Sequence, residues 1–222
     1  MIEIRLFKGI INPGVYFEEF RNGEHIKGFF TKLMLVLGLS IIIALISSYA
    51  GIGTEQIHWY MDTTKNEKLE MAKVLFGIGH LVSSLLFPLV YMFFFTVMYW
   101  IFFHDIPFKK MFFVQLFSVS LLLIEKYLLY PLQLFLGIGR ESSPFGLGVL
   151  TQLLTDHSFM LHFISYFSIF FIWAAMVQLI SLIKLSQRSV KYCLTIVVCM
   201  NLLYILCGTV FRIIIEELRI II

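Results

Sequence analysis

Charge is what this chain has least of. Lysine, arginine, aspartate and glutamate make up 14% of its 222 residues, where a soluble domain carries about 25%, and that shortage excludes a separate soluble domain. Proline is also sparse, with five residues, so there is no proline-rich arm. The three cysteines, Cys193, Cys199 and Cys207, all fall in the last apolar run. No oxidised loop could staple them there, so they read as small packing residues. No Gly-x-Ser-x-Gly, His-Glu-x-x-His or Walker loop is present, and the expectation is a protein that is not an enzyme and holds no cofactor.

What remains is apolar: 59% of the residues are hydrophobic and 24 are phenylalanine. They gather in five runs, at about 28–50, 74–103, 111–138, 158–183 and 190–215. A run of roughly 20 apolar residues crosses a bilayer as a helix, because lipid offers no partner to free backbone N–H and C=O groups. The expected fold is therefore all-α: a five-helix transmembrane domain over residues 28–222 behind an N-terminal segment, 1–27. The second run is overlong, so it should tilt, kink at Pro88 or project beyond the headgroups. Ser48-Tyr49-Ala50 superficially offers a signal-peptide cleavage site, but the lead-in before it is too long for such a signal.

Basic residues set the expected orientation. Arg5, Lys8, Arg21, Lys27 and Lys32 lie around the first span's start, Lys109 and Lys110 in the second short loop, and Lys184, Arg188 and Lys191 in the fourth. These segments alternate with a side where Lys65, Lys68 and Lys73 are diluted by Glu55, Asp62, Glu67 and Glu70, and where the third loop carries only Arg140. The positive-inside rule then places the N-terminus in the cytoplasm and the C-terminus outside, in a cell membrane. The net charge of +3 is modest, and no nucleic acid is expected as a partner.

Within the lead-in, Asn12 can cap a helix that starts at Pro13, and Gly23 can end it. Tyr16, Phe17 and Phe20 would share one face of that helix. Upstream, Ile2, Leu6 and Ile10 repeat at helical spacing. Two placements stay open: an interfacial helix along the membrane surface, or a lead-in packed under the bundle.

Glu125 and Lys126 are the outstanding polar pair, since they sit near the middle of the third run. Ionised groups at depth normally face the bundle interior, and adjacent helical residues point about 100° apart, so their partners are expected on other helices. A packing ion pair, a helix broken near Pro131 that leaves both residues close to an interface, a transport or gating role and contact with a partner are all open. Gln115, Gln133, Gln178 and Asn201 are expected to supply interhelical hydrogen bonds. His80, His157 and His162 lack a second ligand at i+3 or i+4, and no metal site is expected. The glycine-rich stretch 137–157 reads as a flexible or re-entrant connection.

Phe76-x-x-x-His80 looks similar to one piece of the CAAX-type intramembrane proteases. Glu18-Glu19-Phe20-Arg21, however, has the wrong spacing for the paired glutamates of that group, and no later His-x-x-x-Asn follows.

The segment Asn12-Pro13-Gly14-Val15-Tyr16-Phe17-Glu18-Glu19-Phe20, followed by five spans, resembles the Yip1-domain family. Phe171-Ile172-Trp173 and the basic turn Lys184-Leu185-Ser186-Gln187-Arg188-Ser189-Val190-Lys191 look like that family's last helical pair. The Tyr-Gly-Pro and Asp-Leu-x-Gly-Pro signatures of its vesicle-trafficking branch are absent, so the likeness is to the compact bacterial branch. That resemblance implies an accessory membrane protein, in some members a subunit of ABC-type export systems for antimicrobial peptides. The expected partners are the lipid bilayer and other membrane proteins, ABC transporter subunits among them, or a second copy. The competing readings are a permease subunit of an ABC-2-like exporter, which usually has six spans, and a small carrier or channel built on Glu125 and Lys126.

Overall fold

In a computed structural model, residues 2–23, 26–49, 66–137, 142–155 and 157–221 are described. The expected charges Glu55, Asp62, Lys65 and Arg140 lie outside them. The chain folds as two short helices, α1 (Leu6–Ile11) and α2 (Pro13–Arg21), then α3 (Phe29–Tyr49), α4 (Asn66–Phe102), α5 (Phe108–Leu136), α6 (Gly148–Leu154), α7 (Ser158–Ser165), α8 (Ile169–Ser186) and α9 (Val190–Ile221). Five of these are long and apolar enough to cross a membrane: α3, the 74–102 part of α4, α5, α8 and the 190–215 part of α9. The chain is thus a multi-pass, all-helical membrane protein. The overlong second run neither breaks at Pro88 nor splits; it is one helix of 37 residues, about 55 Å at 1.5 Å per residue, and so longer than the bilayer core.

The third span is the hub. Its apolar window is 61% buried, against 22–33% for the other four, because α3, α4 and α8 all pack on α5, while α9 packs on α8 and α4. The remaining faces of the outer spans carry large exposed side chains such as Leu45, Val90, Phe93, Met176 and Phe211. Lipid is as apolar as those side chains, so their exposure costs nothing in a bilayer.

The lead-in is part of this core. Tyr16 is 2% exposed, and Phe17 and Phe20 are fully buried. Their rings meet those of α5 edge-on or tilted, in order: Phe20 meets Phe113, while Tyr16 and Phe17 both meet Phe117. Lys110 Nζ donates to the Arg21 carbonyl at 2.8 Å. Successively earlier residues of α2 therefore meet successively later residues of α5, so the two helices run antiparallel. Of the two placements left open for this segment, packing against the bundle is the one adopted by the aromatic face. The 2-6-10 pattern does not define a surface-lying stripe: Ile4 and Ile10 are buried, and Phe7 and Ile11 are the exposed ones. Two-residue strands β1 (Ile2–Glu3) and β2 (Ile26–Lys27) pair in parallel and close the unit at its base.

One expected span is corrected. The apolar run 158–183 is not a single helix, because the chain breaks after Ser165 and restarts at Ile169. Ser168 is extended, with φ −107° and ψ 161°, and forms an antiparallel bridge with Gly146. The Leu147 amide donates to the Phe167 carbonyl and the Ile169 amide to the Phe145 carbonyl, which satisfies the irregular backbone inside protein, as lipid surroundings demand. The fourth span is α8 alone. The stretch expected to be a loop holds α6, a seven-residue helix that packs on α7.

Candidate functional site

Five polar side chains from four helices meet in the middle of the bundle. On α4, Tyr91, Phe95 and Tyr99 fall on one face at spacings of four residues, all buried. Gln115 comes from α5, Gln178 from α8 and Asn201 from α9. Gln178 joins them: its Oε1 accepts from the Tyr99 hydroxyl at 2.9 Å and from Asn201 Nδ2 at 3.1 Å. Its Nε2 donates to Gln115 Oε1 at 2.9 Å and to the Tyr91 hydroxyl at 3.3 Å. A carboxamide has two donor hydrogens and two acceptor lone pairs, so Gln178 is saturated by protein alone. Asn201 Nδ2 also reaches the Tyr99 hydroxyl at 3.2 Å and the Val197 carbonyl at 2.9 Å. Gln115 Nε2 and Asn201 Oδ1 are the atoms of this network without a protein partner among the described residues.

The sequence pointed to Gln115, Gln178 and Asn201, and the structure brings them together. Gln133 does not join; it lies 18 positions beyond Gln115 on the same helix, about 27 Å along its axis, and its Oε1 has no partner among the described residues. Tyr91 and Tyr99 were missed, because tyrosine counts as apolar in a hydropathy pattern. Their i, i+8 placement around Phe95 on an otherwise apolar helix was the available signal.

Glu125 and Lys126 each reach a different helix. Glu125 Oε2 accepts from the Ser168 hydroxyl at 2.8 Å, and Ser168 Oγ in turn accepts from the Phe171 amide at 3.0 Å. The carboxylate thus sits at the start of α8, where the helix dipole favours negative charge. Lys126 Nζ lies 4.1 Å from the centre of the Phe87 ring, a cation–π contact with α4. Neither group is at the centre of the bundle. Glu125 is level with the first residue of an 18-residue span, about 27 Å from that span's other end, which places it toward the face opposite the basic loops. Nearby, Arg212 stacks 4.9 Å from the centre of the Tyr166 ring.

At the other end of the bundle the basic segments converge. Lys184 pairs with Glu18 at 2.7 Å, Lys8 with Glu19 at 3.1 Å, and Arg188 with Asp105 through its Nε at 3.0 Å. The Lys184 ammonium, by donating to Glu18, holds that carboxyl below its ordinary range. Asp105 raises the Arg188 guanidinium in the same way. His80 shares a hydrogen bond with Ser47 at 3.1 Å and stacks on Phe76. The three cysteines are free thiols, Cys193 buried and Cys199 and Cys207 exposed. No group of three His, Cys, Asp or Glu side chains that could hold a metal occurs among the described residues.

Comparison with protein-family models, with curated proteins and with solved structures finds no match for this chain.

Proposed function

We propose that this chain is a non-enzymatic accessory protein of a cell membrane, Yip1-like in plan, that binds other membrane proteins and assists a membrane export system. The observation that carries this reading is the saturated Gln178. A side chain in the middle of a bundle that bonds three other helices, with no capacity left over, ties those helices into one fixed unit. A carrier needs its helices free to rock about the central site, and here Gln178 ties three of them together even though Gln115 Nε2 and Asn201 Oδ1 keep capacity. An accessory subunit needs a rigid body that presents outward faces.

That Glu125 bonds Ser168 at the start of α8 while Lys126 lies over Phe87 of α4 supports the same choice. A small carrier based on the pair would want both on one path. Five spans among the described residues, rather than six, also favour an accessory role over an ABC-2-like permease. The converging basic segments support an N-terminus in the cytoplasm and a C-terminus outside, by the positive-inside rule.

Affinity purification from native membranes in mild detergent, followed by identification of co-eluting proteins, tests the reading. Stoichiometric recovery with integral membrane or ABC-type ATPase subunits is expected. Recovery of the chain alone, together with substrate flux through reconstituted vesicles, would overturn it. Cysteine accessibility at the two ends tests the orientation.

A further inference from the structure

The antiparallel ladder between α2 and α5 fixes how deep the N-terminal segment reaches. The basic residues Lys109 and Lys110 mark where α5 leaves the headgroup region. Phe117 lies six residues beyond Met111, about 9 Å further in at 1.5 Å per residue, and it is there that it meets Tyr16 and Phe17. From Tyr16 back to Asn12 is one more helical turn, about 5 Å, so the reversal between α1 and α2 lies near the middle of a bilayer core of about 30 Å.

α1 descends beside α2. Lys8 pairs with Glu19, and Gly9 is so close to Phe117 that a Cβ there would enter the ring. The charged residues Lys8, Glu18 and Glu19 stay within a turn or two of the base, where long side chains can reach the interface. The reversal has part of its backbone paired. The Asn12 amide donates to the Lys8 carbonyl at 2.9 Å, the Asn12 carbonyl accepts from the Tyr16 amide at 3.2 Å, and Pro13 has no amide hydrogen. Asn12 is exposed at the tip and makes no cap bond, so the Gly14 and Val15 amides that a helix start leaves over are open to its carboxamide or to water drawn to the tip.

The hairpin's inner face, Ile10, Tyr16, Phe17 and Phe20, is buried. Its outer face carries Phe7 at 80% exposure, Ile11 at 73% and Val15 at 50%, with Asn12 exposed at the tip and Arg5, Lys8, Glu18 and Glu19 exposed toward the base. At that depth the surrounding medium is hydrocarbon. We propose that residues 5–21 form a re-entrant hairpin that enters the leaflet on the basic side of the bundle, reverses near the midplane, and seats Phe7, Ile11 and Val15 against lipid acyl chains. It adds cross-section to one leaflet and none to the other.

The test places a single bimane-labelled cysteine at position 7, 11 or 15 in the full chain. Cys199 and Cys207 are replaced by alanine and the buried Cys193 is retained, with an unlabelled control. In proteoliposomes of phosphatidylcholine and phosphatidylglycerol, each probe is challenged with doxyl-labelled lipids and with aqueous iodide. Loss of emission to doxyl lipid without loss to iodide is expected at all three sites, deepest at Ile11, with the reverse at a Lys109→Cys control. Quenching by iodide at 7, 11 and 15 would put the hairpin in water, and quenching by neither would put a protein on this face. Either result overturns the proposal.

Discussion

Gln178 and Asn201 stand 23 residues apart on adjacent spans, and the Asn201 carboxamide donates to the Gln178 oxygen at 3.1 Å, in a cluster that also holds Tyr99, Tyr91 and Gln115. Buried interhelical bonds in membrane proteins average about 0.6 kcal/mol each, so Gln178→Leu, which removes four, is expected to cost roughly 2 kcal/mol. Unfolding in mixed micelles with a denaturing detergent measures it. In a double-mutant cycle, Asn201→Leu should cost less in the Gln178→Leu background than alone, since the two share a bond. Additive losses would mean that the residues act separately.

Ser168 shows how context changes a helix cap. Serine and aspartate are about equally good at an N-cap, and loss of the cap to alanine costs about 1 kcal/mol. Here the cap hydroxyl also donates to Glu125. Ser168→Asp would keep the acceptor for Phe171 but set a second carboxylate against the first, where two charges cannot both ionise cheaply. The expected order of stability is wild type, then Ser168→Ala, then Ser168→Asp, with Glu125→Gln restoring much of the aspartate variant's loss. A Ser168→Asp protein as stable as wild type would contradict the contact.

The spans were legible because lipid imposes a simple rule on length and polarity, and α3, α5 and α9 start and end within three residues of the expected ends, apart from the extension of α9 beyond Ile215. The break in the fourth run was not legible. Residues on both sides of Ser165 are apolar, so hydropathy sees one stretch, and the restart depends on Gly146 and Glu125, which are distant in sequence. The Asn12-Pro13 start of α2 could be read from local chemistry, but its depth could not. That depth is set by aromatic partners on α5, and an amphipathic face looks the same whether it meets a bilayer surface or a bundle. Likewise Gln115, Gln178 and Asn201 announced themselves as polar residues in apolar runs, whereas Tyr91 and Tyr99 did not.

The Glu18–Lys184 pair gives the hairpin a pH dependence of known sign. Glu18 is held below its ordinary value of 4.5 by the Lys184 ammonium. A depressed folded value means that the pair's contribution is complete above that ordinary value and is lost as pH falls from there through the folded value. Both side chains are more than a third exposed, at 37% and 56%, so the effect is small. A spin label at Val15→Cys should gain mobility between pH 7 and pH 3, and Lys184→Gln should shrink that change. An equal response in both proteins would discount the pair.

Gly9 sets helix propensity against packing, and the sign of one substitution decides between them. In an exposed helix interior, Gly→Ala stabilises by about 1 kcal/mol. At position 9 the new methyl would enter the space of the Phe117 ring and stand 3.1 Å from the Tyr16 ring. Phe117 cannot swing away freely, because Phe17 packs on it as well, with ring centres 5.3 Å apart. Inserting a methyl into a packed core costs about 1–3 kcal/mol, so Gly9→Ala is expected to destabilise the docked hairpin despite its better propensity. Thermal denaturation monitored from a probe on α2 reads the change. Phe117→Leu opens the space, and in that background Gly9→Ala should become neutral or stabilising. If Gly9→Ala stabilises the wild-type chain, α1 is not seated on α5.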